Sequence, residues 1–208
     1  MTRQTEILHR KLPEDGDEAH RPPPGAVPGT LIEVEDAQPT RITVVDYGPG
    51  HHEIRELTDP TQIRPYIDKD SVTWIDVTGF KDVAAIRTLG EMLDIHPLAL
   101  ADAVNIPQRA KAEAYPDYVF IVTHAPEVTT DGFYSEQVSV LFSGHFVLSF
   151  QERSNEDLYK PLRDRIKSAR GIIRNKGTAY LGYAIVDVIT DTYFPVLDSL
   201  EDKLDALE

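Results

Sequence analysis

Three aspartates sit where the surrounding helical sequence is otherwise apolar: Asp102 in LALADAV, and Asp187 and Asp191 in YAIVDVITDTYF. Asp187 and Asp191 are four positions apart, so on a helix both carboxylates project from one face. Like charges at that spacing repel unless a cation or a base lies between them. Two readings follow. One is a solvated face, or a face paired with bases on a neighbouring helix. The other is a hard-cation site of the kind Mg²⁺ uses, which takes one or two protein carboxylates and keeps several waters. Spacing leaves both open.

Other chemistries are poorly supplied. The chain has no G-x-G-x-x-G and no G-x-x-x-x-G-K-[ST], so a phosphate cradle is not expected. His9 and His20 lie in a polar N-terminal stretch. His51 and His52 are adjacent, and on a strand they point to opposite faces. His96, His124 and His145 are scattered, and His96 before Pro97 fits a helix cap. Ser135, Ser139 and Ser149 lack the flanking glycines of a nucleophile elbow. Nothing pairs a nucleophile with a base, so no enzyme is expected.

Composition narrows the class. With 208 residues the chain can bury a real core, and with no cysteine it has neither disulfides nor thiolate metal sites. A formal charge of −14 argues against nucleic acid and favours attraction of cations. The charge is unevenly placed. Between Lys160 and Lys176 there are seven bases and one acid, whereas from Asp187 onward there are seven acids and one base. No apolar window approaches the length of a membrane span and the N-terminus has no signal-peptide core, so this portion is expected to lie in the cytoplasm.

The elements that must position the aspartates follow from periodicity. Residues 1–29, rich in proline and charge, are expected to be disordered. Arg41–Tyr47, His52–Leu57, Val72–Val77, Tyr118–Val128, Phe133–Phe142 and His145–Gln151 read as strands. Asp59-Pro60 starts a short helix to about Ile67. Helices then run from Val83 to Asp94, from His96-Pro97 to Pro107, and from Asn155 to Arg170. After a break at Gly171–Gly177, one long helix runs from Thr178 to Glu208, with an apolar stripe through Val186, Ile189, Tyr193, Leu197, Leu200, Leu204 and Leu207. Pro195 inside it is expected to bend the path near Asp191. The fold class is therefore α/β: a mixed, largely antiparallel sheet flanked by helices over residues 30–176, followed by a long C-terminal stalk helix over 177–208. The unbroken stripe suggests a chain that continues.

One succession of motifs stands out: WIDVTG (Trp74–Gly79), HPLALAD (His96–Asp102), Gln108-Arg109, EQVSVL (Glu136–Leu141), Phe150-Gln151-Glu152, and Gly171-Ile172-Ile173-Arg174 before YLGYAIVDVITDTYFPVLDSLEDKLDALE. In this order it closely resembles the CorA family, Mg²⁺ and Co²⁺ channels of prokaryotic inner membranes. The resemblance covers about Arg41 to Glu208. It implies the cytoplasmic domain and the start of the stalk helix of a homopentamer, with two transmembrane helices and a Gly-Met-Asn pore motif expected beyond Glu208. It further implies regulatory Mg²⁺ between neighbouring subunits, filled sites holding the pore closed. Carried over by motif, Asp102 is the main metal ligand and Asp187 a second acidic position; Asp191 stands as a candidate through its spacing from Asp187 alone. Two departures are Ala101, where an acid often precedes the ligand, and Ala110, where Gln-Arg-Pro-Lys is usual. The alternatives are a ZntB-like zinc transporter domain and a soluble acidic interaction module.

Overall fold

Strands form where β-branched and aromatic residues cluster, and the central ones are apolar on both faces because both faces are covered. The computed structural model describes residues 22–67, 70–129, 132–153 and 158–206. Its strands are β1 (Arg41–Gly48), β2 (His51–Leu57), β3 (Val72–Thr78), β4 (Lys111–Ala114), β5 (Tyr118–Thr129), β6 (Gly132–Ser143) and β7 (Phe146–Gln151). They make one sheet in the order β2-β1-β3-β7-β6-β5-β4. Every pairing is antiparallel except β3 with β7, which runs parallel through the middle with Asp76 opposite Ser149. The mixed, largely antiparallel sheet read from the sequence is the observed one.

Helices cover both faces. On one side lie a 3-10 turn at Pro60–Ile63, α1 (Arg64–Ile67), α2 (Val83–Met92) and α3 (Pro97–Val104). Ile63, Ile86, Leu89 and Leu100 pack there against Val44, Ile75, Phe120 and Leu148. On the other side lie α4 (Lys160–Lys167), a 3-10 turn at Ile173–Asn175 and α5 (Thr178–Asp191). Leu162, Ile166, Leu181, Ile185 and Ile189 pack there against Tyr47, Trp74, Val140 and Val147. The alternation within β3 divides the two layers: Trp74 points to one and Ile75 to the other.

Helix ends follow their local chemistry. His96 caps α3, its Nδ1 accepting from the Leu98 N–H at 3.2 Å, and Pro97 occupies the first position. α4 is shorter than the Asn155–Arg170 expected. It stops at Lys167 because the chain turns at Ala169 (φ +51°), where the Arg170 N–H donates back to the Arg165 carbonyl. The first part of that expectation, residues 155–157, lies outside the described residues. Two glycines are required by their surroundings. At Gly79 (φ +73°) a Cβ would run into the carbonyl oxygens of Pro39 and Gln38, and at Gly29 (φ +86°) it would meet the Pro97 Cβ at 2.7 Å.

The last helical run spans Thr178 to Asp205 with one interruption at Thr192, dividing α5 from α6 (Tyr193–Asp205). Pro195 has no N–H to offer the Asp191 carbonyl, which places the interruption where the proline predicts it. α6 buries no residue. Leu197, Leu200 and Leu204 are exposed, and Tyr193 Oη donates to the His124 carbonyl at 3.0 Å. Leu207 and Glu208 lie outside the described residues.

Two regions differ from the sequence reading. β4, with the sequence KAEA, was not expected; alanine and charge carry little strand signal, and the strand exists because β5 offers it an edge. Of residues 1–29, only 22–29 are described. They form two turns, with Ala26 N–H donating to the Pro23 carbonyl and Thr30 N–H to Val27, laid against the start of α3.

Candidate metal site

α3 buries Ala99, Leu100, Ala103 and Val104 and leaves Asp102 half-exposed at its rim. The backbone there is firmly held. The Asp102 carbonyl accepts from Gln137 Nε2 at 2.9 Å, and buried Gln137 accepts from the Gln108 N–H at 2.6 Å. Beside the carboxylate is a shallow cavity of about 260 Å³, lined by Asp102, Leu98 and Asn105 on one side and Pro23, Val27 and Thr30 on the other. Asn105 closes this arrangement, donating from Nδ2 to the Thr30 carbonyl (2.8 Å) and accepting from the Ile32 N–H (3.0 Å).

The Asp102 carboxylate already has a cation. Lys111 on β4 places Nζ 2.5 Å from Asp102 Oδ2 and 2.9 Å from Glu113 Oε1. Burial alone would lower the lysine's pKa, but the hydrogen bonds to Asp102 and Glu113 outweigh it and hold the ammonium above its usual value. Sequence reasoning missed both Lys111 and Glu113, because their role depends on β4. The alternation of charge in KAEA was the available signal, since it puts Lys111 and Glu113 on one face.

Asp187 and Asp191 are both exposed on α5, away from its buried face of Leu181, Ala184, Ile185 and Ile189. Tyr183, one turn earlier, donates from Oη to Asp187 Oδ1 at 3.5 Å. α3 and α5 pack on opposite faces of the sheet, so Asp102 is not brought to the other two within one chain. Among the described residues no group of three or more His, Cys, Asp or Glu side chains converges into a metal cage. The three side chains are oxygen donors, the donor type that a hydrated hard cation takes, with one carboxylate on one face of the sheet and two on the other.

Other carboxylates are occupied structurally. Asp76, buried in β3, accepts from Ser149 Oγ at 2.6 Å and pairs with Arg163 of α4. Asp46, buried in β1, accepts from Ser71 Oγ at 2.6 Å and Thr73 Oγ1 at 3.0 Å, with His51 Nε2 at 3.1 Å. A charged residue within an apolar strand (VTWIDV, ITVVDY) was the sequence signal for both.

Comparison with known proteins gives this geometry a lineage. The family described as CorA-like Mg2+ transporter protein matches residues 69–208. The cobalt/magnesium transport protein CorA of Thermotoga maritima is 36% identical over 187 residues, covering 88% of this chain and 53% of the relative. The CorA magnesium transporter of Methanocaldococcus jannaschii superposes with a TM-score of 0.60 at 20% identity, over 80% of this chain and 49% of that one. The ZntB cytoplasmic domain of Vibrio parahaemolyticus gives 0.61 at 12% identity, over 82% and 66%. At such identities the superpositions establish the fold alone. The chain spans about half the length of the Thermotoga relative, and no helix among the described residues is long and apolar enough to cross a membrane. With its motifs in order, its sheet and helices in the matching arrangement and the match extending over most of its length, this chain belongs to the CorA-like Mg²⁺ transporter family.

Proposed function

We propose that this chain is the cytoplasmic, metal-sensing part of a CorA-type Mg²⁺/Co²⁺ channel of the inner membrane, assembled as a homopentamer and anchored by transmembrane helices that follow it. The observation that carries the reading is the placement of Asp102 on one face of the domain and of Asp187 and Asp191 on the other, within a chain of this family. A head-to-tail ring brings two different faces of neighbouring subunits together, so carboxylates that are apart in one chain can share an ion across the contact. With a charge of −14 on each chain, packing subunits side by side is electrostatically costly, and divalent cations at the contacts relieve it. A cation stabilises only the state it binds better, so Asp102, Asp187 and Asp191 bias the ring toward its closed arrangement when Mg²⁺ is plentiful. Few carboxylates and a retained water shell place the affinity at about 10⁻⁴–10⁻³ M, the range of weak hydrated sites.

The test is a thermal melt of the chain in millimolar Mg²⁺ against Na⁺ at matched ionic strength. Specific binding to the folded state raises Tm beyond the screening effect, and Asp102→Asn removes most of the difference. Equal shifts from the two salts would sink the reading.

A further inference from the structure

The lysine that holds Asp102 has a second place to go. β4 pairs with β5 so that Glu113 lies opposite Phe120 and Lys111 opposite Val122, which puts Lys111, Glu113 and Phe120 on one face. Lys111 Nζ is 2.5 Å from Asp102, 2.9 Å from Glu113 and 5.6 Å from the Phe120 ring centroid. Glu113 is itself anchored, since Tyr115 Oη donates to its Oε2 at 3.3 Å and the Tyr115 ring stacks on Tyr118 at 4.7 Å. An ammonium that left Asp102 would keep a carboxylate and an aromatic face, so its departure strands no charge.

We propose that Lys111 is a tethered competitor for the Asp102 carboxylate: it occupies that position until a divalent cation displaces it onto Glu113, and it thereby sets both the affinity of the site and its indifference to monovalent ions. The inference rests on the reading of Asp102 as a cation ligand given above. A side chain tethered nine positions away in sequence and already in contact competes at a high effective concentration, which free K⁺ or Na⁺ cannot match with the same single charge. A divalent ion gains twice the Coulomb energy at the same carboxylate and can win the exchange. Lys111 therefore screens by valence, and Glu113 determines how readily it yields.

The experiment is a Mg²⁺ titration of the chain followed by the backbone amide shifts of residues 100–104 at low ionic strength, repeated with K⁺ present. Lys111→Gln is expected to bind Mg²⁺ about tenfold more tightly, the effect of removing one positive charge roughly 6 Å from a divalent ion in water, and to become sensitive to K⁺. Glu113→Gln is expected to act in the opposite direction, weakening Mg²⁺ binding several-fold because Lys111 then has only Asp102 to hold. The tightening in Lys111→Gln cannot come from a general loss of structure, and Lys111→Ala serves as a second charge-removing variant should Lys111→Gln fold poorly. The weakening in Glu113→Gln counts in favour only where its Tm matches that of the parent chain. Lys111→Arg keeps the charge and stays close to the parent chain. Unchanged affinity in both Lys111→Gln and Glu113→Gln, with Asp102→Asn still abolishing the shifts, overturns the role of the lysine and leaves the site reading intact. Shifts that persist in Asp102→Asn overturn both.

Discussion

Asp76 and Arg163 meet inside the protein and tie α4 to the middle of the sheet. Asp76 is 1% exposed, its other oxygen accepts from Ser149 Oγ, and Ser149 Oγ in turn accepts from Trp74 Nε1 at 2.9 Å. The guanidinium carbon lies 5.2 Å from the centroid of the Trp74 ring, and Tyr159 meets the same ring edge-on at 5.1 Å. Removing one partner leaves a buried charge uncompensated. Arg163→Met and Asp76→Asn are each expected to cost about 3 kcal/mol in urea unfolding followed by circular dichroism. The double variant is expected to recover part of that loss, and strictly additive losses would show that the two side chains are not coupled.

Glu136 gives the fold a dependence on pH. Burial pushes its carboxyl up to about 7 from an ordinary value near 4.5; Glu152 and Glu127 push it the same way, while the Arg153 N–H, donating at 2.7 Å, opposes them. The folded state therefore holds this proton more tightly than the unfolded chain. The stability it contributes is fully present below about pH 4.5 and is lost as pH rises through about 7. Glu136→Gln keeps an acceptor for Arg153 and cannot ionise. It is expected to flatten the stability profile between those values and to be more stable than the parent at pH 8, by up to about 2 kcal/mol. A parallel profile in the variant would assign the pH dependence to another group.

Asn105 fastens the stretch around Leu31, ahead of β1, to the end of α3. Asn105 is buried and spans the Thr30 carbonyl and the Ile32 N–H, so Asn105→Ala removes two hydrogen bonds and strands two backbone groups. The expected loss is about 2 kcal/mol, with amide exchange at Ile32 accelerating while that of β3 stays slow. Unchanged exchange at Ile32 would mean that the packing of Leu31 alone holds the segment.

α6 presents Leu197, Leu200 and Leu204 to solvent at 57, 40 and 64% exposure. An apolar stripe left open in this way is an association surface. Amides of α6 in a dilute monomer are expected to exchange much faster than those of β7, and to gain protection as protein concentration rises. Protection equal to that of the sheet at high dilution would show that the helix is stable by itself.

Much of this architecture was legible because period and turn chemistry agree. The β-branched run of β1, the apolar β3 and β7, the His96-Pro97 helix start and the proline-linked interruption at Thr192 each have a local cause that sequence records. What was not legible depends on partners distant in the chain. β4 is a strand only because β5 supplies its hydrogen bonds, and with β4 unseen the Lys111–Asp102 pair could not be anticipated. Likewise, Asp187 and Asp191 could be placed on one helix face from their spacing, but whether bases of α4 neutralise them could not. The structure turns Arg163 inward to Asp76 and pairs Lys160 with Asp164. The two turns at residues 22–29 were hidden by their prolines; the residues just after them, Thr30 and Ile32, are held by Asn105, and Gly29 lies close against Pro97, neither of which has a local signature.

The single parallel seam between β3 and β7 carries a kinetic consequence. Asp76 and Ser149 face each other across it although 73 positions separate them, whereas β1 with β2 and β5 with β6 are antiparallel pairs of strands that follow each other directly in the chain. Bringing distant segments together incurs its entropy cost before any contact rewards it. The two hairpins can therefore assemble early as separate nuclei, and the rate at which the chain becomes native is set by the moment they join along β3 and β7. Substitutions on the seam, Val147→Ala for example, should slow folding, while those in β4, which adds to the outer edge of β5 and belongs to neither hairpin, should mainly hasten unfolding.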